Sequence, residues 1–337
     1  MKPFSPADLL AWYYAHRREM PWRGHPDPYA VWVSEVMLQQ TQVETVRPYF
    51  TRFLQAFPTV SALAAATDDA LLKAWEGLGY YSRARNLRKA AQMLAANGGQ
   101  LPRQAAALEA LPGIGPYTAA AIASICFGER VPVVDGNVIR VFARHNALPD
   151  DFSKMPPRKA LAAWLSPFIA LPDVPPADFN QAMMELGALV CTPRHPACAT
   201  CPLRCSCHAH AENRVADFPR AAAKKPLPTR REKVALAFGP SGEVLLQRQS
   251  GGRLLAGLWA LPACTDCPFI TGRGRKVHTF RQDFTHFHLQ LTIYRYPRQP
   301  LTALPANFCW APSPAALPLT TATRKVLAAL NCLHPAP

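Results

Sequence analysis

Apolar residues recur at spacings of three and four through the first two thirds of the chain, as in Asp69–Trp75, Ala84–Leu94 and Ala106–Leu111. That period predicts a mainly helical region up to about residue 215. Residues 214–232, RVADFPRAAAKKPLPTRRE, then hold no regular period and are rich in Pro, Ala and basic side chains, which reads as an interdomain linker. Beyond it, Val234–Phe238, Val244–Gln247 and Phe287–Tyr294 have the character of strands, separated by turn signals such as Gly239-Pro240-Ser241-Gly242, and Ala322–Leu330 has that of a helix. A helical domain over 1–213 and an α+β domain over 233–333 are therefore expected, with no internal repeat.

The length of 337 residues is enough for two such cores. Charge adds a direction: 37 Lys and Arg stand against 22 Asp and Glu, a net of +15, which favours a polyanionic partner although it also suits plain solubility. From residue 231 onward there are twelve basic and four acidic side chains, so more than half of that excess lies in the second domain, which is expected to touch nucleic acid too. No apolar stretch of ~18 residues lacks Pro, Gly or a charge, and the opening MKPFSPADLLAWYYAHRREMPW has no signal-peptide anatomy. The expectation is no membrane insertion and a cytoplasmic, nucleoid-associated location.

Five of the ten cysteines fall between Cys191 and Cys207, a local cluster that points to a metal centre rather than a disulfide framework. Cys191, Cys198, Cys201 and Cys207 are spaced C-x6-C-x2-C-x5-C, and four thiolates from one compact loop can hold a [4Fe–4S] cluster. Structural zinc is the competing reading, and Cys205 competes with Cys207 as the fourth ligand. The lone pair Cys264 and Cys267 reads as incidental.

Leu111-Pro-Gly-Ile-Gly-Pro-Tyr-Thr118 lies between two helical stretches, where Gly113 and Gly115 permit a tight hairpin whose amides can face one phosphate. With Ala119–Cys126 behind it, the segment resembles a helix-hairpin-helix DNA-binding motif. About twenty residues on, Asp135 closes an apolar run ahead of Gly136, Asn137 and the helical stretch Val138–His145. A helix N-terminus there would favour the ionised carboxylate, and a simple N-cap is the plainer alternative. Glu35 sits in a second candidate helix opened by Asp27 and Pro28, with Val31, Trp32 and Leu38 at i−4, i−3 and i+3. That apolar face should desolvate the carboxyl and raise its pKa, whereas most helical glutamates are exposed or ion-paired. Two carboxyls with opposite environments suit glycosidic cleavage, one protonating the leaving group and the other stabilising an oxocarbenium-like sugar.

WVSEVMLQQTQV, GLGYYSRARNL, LPGIGPYTAAAI, VVDGNVIRV, FNQAMMELGALVC and the cysteine spacing together resemble the MutY family of adenine DNA glycosylases, within the helix-hairpin-helix, endonuclease III superfamily. The resemblance covers nearly the whole chain. It implies a helical glycosylase fold with a [4Fe–4S] loop held by Cys191, Cys198, Cys201 and Cys207, leaving Cys205 as a spare thiol. It also implies double-stranded DNA containing adenine opposite 8-oxoguanine or guanine as the partner of a monomeric enzyme. Glu35 would be the general acid at adenine N7 and Asp135 the carboxylate facing the cationic sugar, with Tyr117 and Asn137 in support. Trp22, Arg23, Leu38 and Gln181 would line the adenine pocket. Gln40 and Tyr80 would wedge into the base stack, although as residues alone they could be a helix-surface amide and a core aromatic. Endonuclease III-like lyases carry their Schiff-base lysine where this chain has Tyr117, which implies a monofunctional glycosylase leaving an abasic site.

The second domain resembles the MutT/Nudix-like domain of that family through Leu246-Gln-Arg248, Leu255-Ala-Gly-Leu-Trp-Ala-Leu-Pro262 and Phe284-Thr-His-Phe-His288. Phe284, Thr285 and His286 match the loop by which the family reads 8-oxoguanine, with Thr285 where many relatives have Ser. Between residues 249 and 300 the only acids are Asp266 and Asp283, too few for the Mg²⁺-binding helix of a working Nudix hydrolase. Two other functions fit parts of the pattern: an endonuclease III-like enzyme for oxidised pyrimidines, and a non-catalytic DNA-binding or redox protein that merely keeps the cluster.

Overall fold

Side-chain oxygens start several of the helices. Ser5 Oγ accepts from the amide of Asp8, Asp27 Oδ1 from that of Tyr29 and Asp135 Oδ1 from that of Val138, and Pro6 and Pro28 occupy first helical positions where no amide donor is missed. The computed structural model describes residues 3–220, 226–250, 255–300 and 303–333. It separates into two units, one of Met1–Leu54, Thr59–Ala64 and Lys89–Lys224, the other of Gln55–Pro58, Ala65–Arg88 and Lys225–Pro337.

The first unit is helical. Helix Pro176–Leu189 packs on Gly136–His145, Pro6–His16 and Pro116–Phe127, and the last of these also packs on Pro28–Leu38. Leu9, Tyr13, Phe142, Leu161, Leu165, Phe179 and Leu186 fill the core between them. Gly187 is what lets two of these helices close up: a Cβ there would lie 2.6 Å from Cβ of Asn137 and 2.9 Å from its backbone.

The second unit is α+β. Strand β1 (Thr229–Leu236) runs parallel to β5 (His288–Arg295), whose other edge pairs antiparallel with β4 (Arg275–Asp283). A second sheet has β2 (Val244–Arg248) between β3 (Trp259–Ala260) and β6 (Phe308–Ala311). Val234, Leu246, Ile293, Leu319 and Val326 are among its buried core, the last from helix Thr321–Ala329. Residues 65–88 belong to this unit through polar contacts. Glu76 accepts from Arg324 and from the amide of Leu319, Asp69 pairs with Arg248 at 2.6 Å, and Arg85 donates to the carbonyl of Ala256 at 2.8 Å.

Several sequence expectations need adjustment. The domain limits of 1–213 and 233–333 do not coincide with the two units. The stretch 214–232 is not all linker: Phe218 is buried in the first core and β1 already begins at Thr229, while 221–225 lie outside the described residues. The stretch Ala106–Leu111 is one turn of helix, Ala105–Leu108. β4 escaped the pattern because most of its side chains are polar and it pairs on one edge alone, so no apolar alternation marks it.

Candidate active site

Glu35 lies on Pro28–Leu38, a helix capped by Asp27 and opened by Pro28, in which nine consecutive residues from Tyr29 to Met37 are buried. Its side chain is 5% exposed. Tyr117, from the first turn of Pro116–Phe127, donates its hydroxyl to Oε2 of Glu35 at 2.8 Å. Burial, and secondarily the charge of Asp135, push Glu35 up to about 7 against the opposing pull of the Tyr117 hydrogen bond. The Tyr117 hydroxyl itself is raised well above its ordinary range, first by burial and then by Glu35.

Asp135 is the N-cap of Gly136–His145. Its carboxylate accepts from the amide of Val138 at 2.7 Å and from Nδ2 of Asn137 at 2.8 Å. The sequence expectation for this group needs correction. Burial is the strongest influence and leaves Asp135 above its ordinary value, despite the hydrogen bonds and the Arg140 charge that favour ionisation. Both carboxyls are thus shifted upward, and what separates them is the stronger hydrogen bonding of Asp135. Arg140 ties this turn down, donating to Oδ1 of Asn137 at 2.8 Å, to the carbonyl of Gly187 at 2.7 Å and to that of Cys191 at 2.7 Å.

Both carboxyls line one cavity of about 510 Å³, and so do Tyr117, Asn137, Trp22, Arg23, Leu38 and Gln181. Arg18, Met184 and Glu185 share its wall, and sequence reasoning passed over them. A signal for them existed, because Gln181, Met184, Glu185 and Ala188 fall at i, i+3, i+4 and i+7 on one helix face. Gln40, Gly113 and Gly115 stand outside this cavity. Gln40 is exposed just past the helix end with φ +57°, a left-handed backbone. Gly113 turns the hairpin at φ +79°, and Gly115 starts Pro116–Phe127 with no side-chain cap on the first-turn amides.

Within the second unit, Tyr80, Phe284, Thr285 and His286 line a smaller cavity of about 200 Å³. Residues 284–287 form the hairpin between β4 and β5, closed by the Phe284 amide donating to the carbonyl of Phe287 at 2.9 Å. The rings of Phe284 and Phe287 stack at 4.6 Å, leaving Thr285 and His286 exposed at the tip. The hydroxyls of Tyr80 and Thr285 share a 2.5 Å hydrogen bond, and Tyr80 too is left-handed, at φ +47°.

Cys191, Cys198, Cys201 and Cys207 line a third, small cavity, where Arg144 donates to Sγ of Cys191 at 3.5 Å. Cys205 is exposed and takes no part in that wall. Burial and then the neighbouring sulfurs push Cys201 up to about 12 and raise Cys207, so an all-thiolate set calls for a cation among them. Four thiols on the rim of one pocket fit a polynuclear iron–sulfur group, where each iron takes one thiolate. Cys267 belongs instead to a small apolar core with Leu245 and Phe308.

The helical unit carries a hairpin-led helix beside a two-carboxyl cavity, and residues 33–167 match the HhH-GPD superfamily of base excision DNA repair proteins. The fold is shared with a thermostable thymine-DNA glycosylase (27% identity, TM-score 0.56), over 61% of this chain and 95% of that one. The human adenine DNA glycosylase is 35% identical over 90% of this chain and 69% of its own length, and the Arabidopsis thaliana enzyme 37% identical over 84% and 51%. The chain belongs to the adenine DNA glycosylase family, hydrolases that remove adenine from DNA by cutting its N-glycosidic bond in base excision repair. It spans 60% of the mouse relative's length. Among the described residues no helix is long and apolar enough to cross a membrane.

Proposed function

We propose that this chain is a monofunctional glycosylase that flips out adenine paired with 8-oxoguanine, or with guanine, and leaves an abasic site. The observation that carries the reading is the pairing of Glu35, which holds its proton to about pH 7, with Asp135 in one cavity roomy enough for a flipped nucleoside. Glu35 protonates adenine N7 as the glycosidic bond stretches, and Tyr117 fixes the carboxyl through its hydrogen bond. Asp135, oriented by Asn137 and the Val138 amide, faces the oxocarbenium-like sugar as a carboxylate. Trp22, Arg23, Leu38 and Gln181 enclose the base. Tyr117 offers no amine for a Schiff base, so strand cleavage is not part of the reaction.

Gln40 and Tyr80 fill the gap left in the stack, which costs a few kcal/mol to open. The hairpin amides at Gly113 and Gly115 take a backbone phosphate. Phe284, Thr285 and His286 read the base opposite adenine. Cys191, Cys198, Cys201 and Cys207 hold a [4Fe–4S] cluster, which when bound supplies four iron–thiolate bonds that fix the 191–207 loop. The enzyme acts as a monomer away from membranes, in the cytoplasm or nucleoid.

The test is single-turnover adenine release from duplexes with adenine opposite 8-oxoguanine, guanine and thymine. Wild type should cut the first two, and Glu35→Gln and Asp135→Asn should each lose on the order of 10²–10⁴ in rate. Robust cleavage by either variant would remove the assigned mechanism.

A further inference from the structure

Glu185 is a third carboxylate on the cavity wall and behaves unlike the other two. It is 2% exposed, yet burial, the largest influence on it, is outweighed by hydrogen bonds from Arg18 and then Arg23, which keep it ionised. Arg18 donates to it through the backbone amide (2.9 Å), Nε (2.9 Å) and Nη2 (2.8 Å), and Arg23 through Nη1 and Nη2, both at 3.4 Å. Nη1 of Arg23 also donates to the carbonyl of Arg18 at 2.6 Å, so both Nη atoms are engaged on the Arg18–Glu185 side and Nε is left for Gln181, at 3.1 Å. An arginine Nε can only donate, so the Gln181 atom facing it is the carbonyl Oε1. The amide end of Gln181 is occupied elsewhere, Nε2 donating to the carbonyl of Ala177 at 3.2 Å.

We infer that Glu185 is a positioning residue for base selection: through Arg23 it fixes the Gln181 side-chain amide with its oxygen toward the cavity. A carbonyl oxygen has two lone pairs, one taken by Arg23, and the second is offered to the flipped base. That acceptor matches the 6-amino group of adenine and opposes the 6-oxo group of hypoxanthine or guanine. Were the amide reversed, its N–H would favour the oxo base. The inference rests on the adenine pocket proposed above.

The experiment is single-turnover excision of adenine and of hypoxanthine, each opposite 8-oxoguanine, by wild type, Glu185→Gln and Arg23→Lys. Glu185→Gln keeps the shape but removes the charge that aligns Arg23. Arg23→Lys keeps a charge for Glu185 but has no Nε–H for Gln181, and it carries the test if the first variant does not fold. The adenine-to-hypoxanthine rate ratio is expected to fall roughly 10-fold in each, the scale of one misdirected hydrogen bond. A purely structural role would slow both substrates by one factor, and an unchanged ratio in the folded variants overturns the inference alone. Wild type that leaves adenine uncut overturns the proposed activity and this inference with it.

Discussion

Glu35 owes its chemistry to desolvation, and the direction of its shift fixes two pH dependences. In the proposed mechanism adenine release needs a protonated Glu35 and an ionised Asp135, so the single-turnover rate should fall as pH rises through about 7, a decline that Glu35→Gln should lack, and fall again at low pH as Asp135 takes up its proton. For stability, a carboxyl raised above its ordinary 4.5 favours the folded state while protonated. That contribution is present below about pH 4.5 and is lost as pH rises through about 7. Glu35→Gln should therefore gain roughly 3 kcal/mol over wild type between pH 4.5 and pH 8, as read by denaturant unfolding at the two values. The apolar neighbours behind this shift were legible at helical spacing in Val31, Trp32 and Leu38. The burial of Asp135 was not, because an N-cap is visible in sequence but the helices that cover it come from elsewhere in the chain.

Among the elements, helix Pro176–Leu189 organises the first unit, carrying Gln181 and Glu185 on one face and Gly187 against Asn137. Gly187→Ala would set a methyl 2.9 Å from the Asn137 backbone, which forces the Asp135 turn to move. A loss of about 1–3 kcal/mol is expected in unfolding experiments. Adenine release should fall as well, because Asn137 and Arg140 can no longer hold the Asp135 carboxylate in place. Retention of wild-type stability and rate would contradict this packing. Nothing local marks Gly187, since its backbone is unstrained and only the partner helix makes the glycine necessary. β4 shows the same limit, for its strand identity comes from pairing with β5 rather than from its own alternation.

At the scale of the whole chain, the change from helical to alternating pattern announced two kinds of architecture, and both are present. The assignment of residues 65–88 to the second unit was hidden, because it depends on polar partners such as Glu76 and Arg324 that lie 248 positions apart. On the function proposed above, lesion preference is expected to reside in this second unit. Phe284→Ala combined with His286→Ala should mainly erode the rate advantage of 8-oxoguanine over guanine opposite adenine, whereas equal slowing on both duplexes would assign the loop a folding role. Gln40 and Tyr80, finally, keep side chains in a backbone region where each costs about 1–2 kcal/mol relative to glycine. Under the wedge role proposed for them, glycine at Gln40 would make a sturdier protein with a blunter tool, resilience being given up in exchange for reach into the duplex.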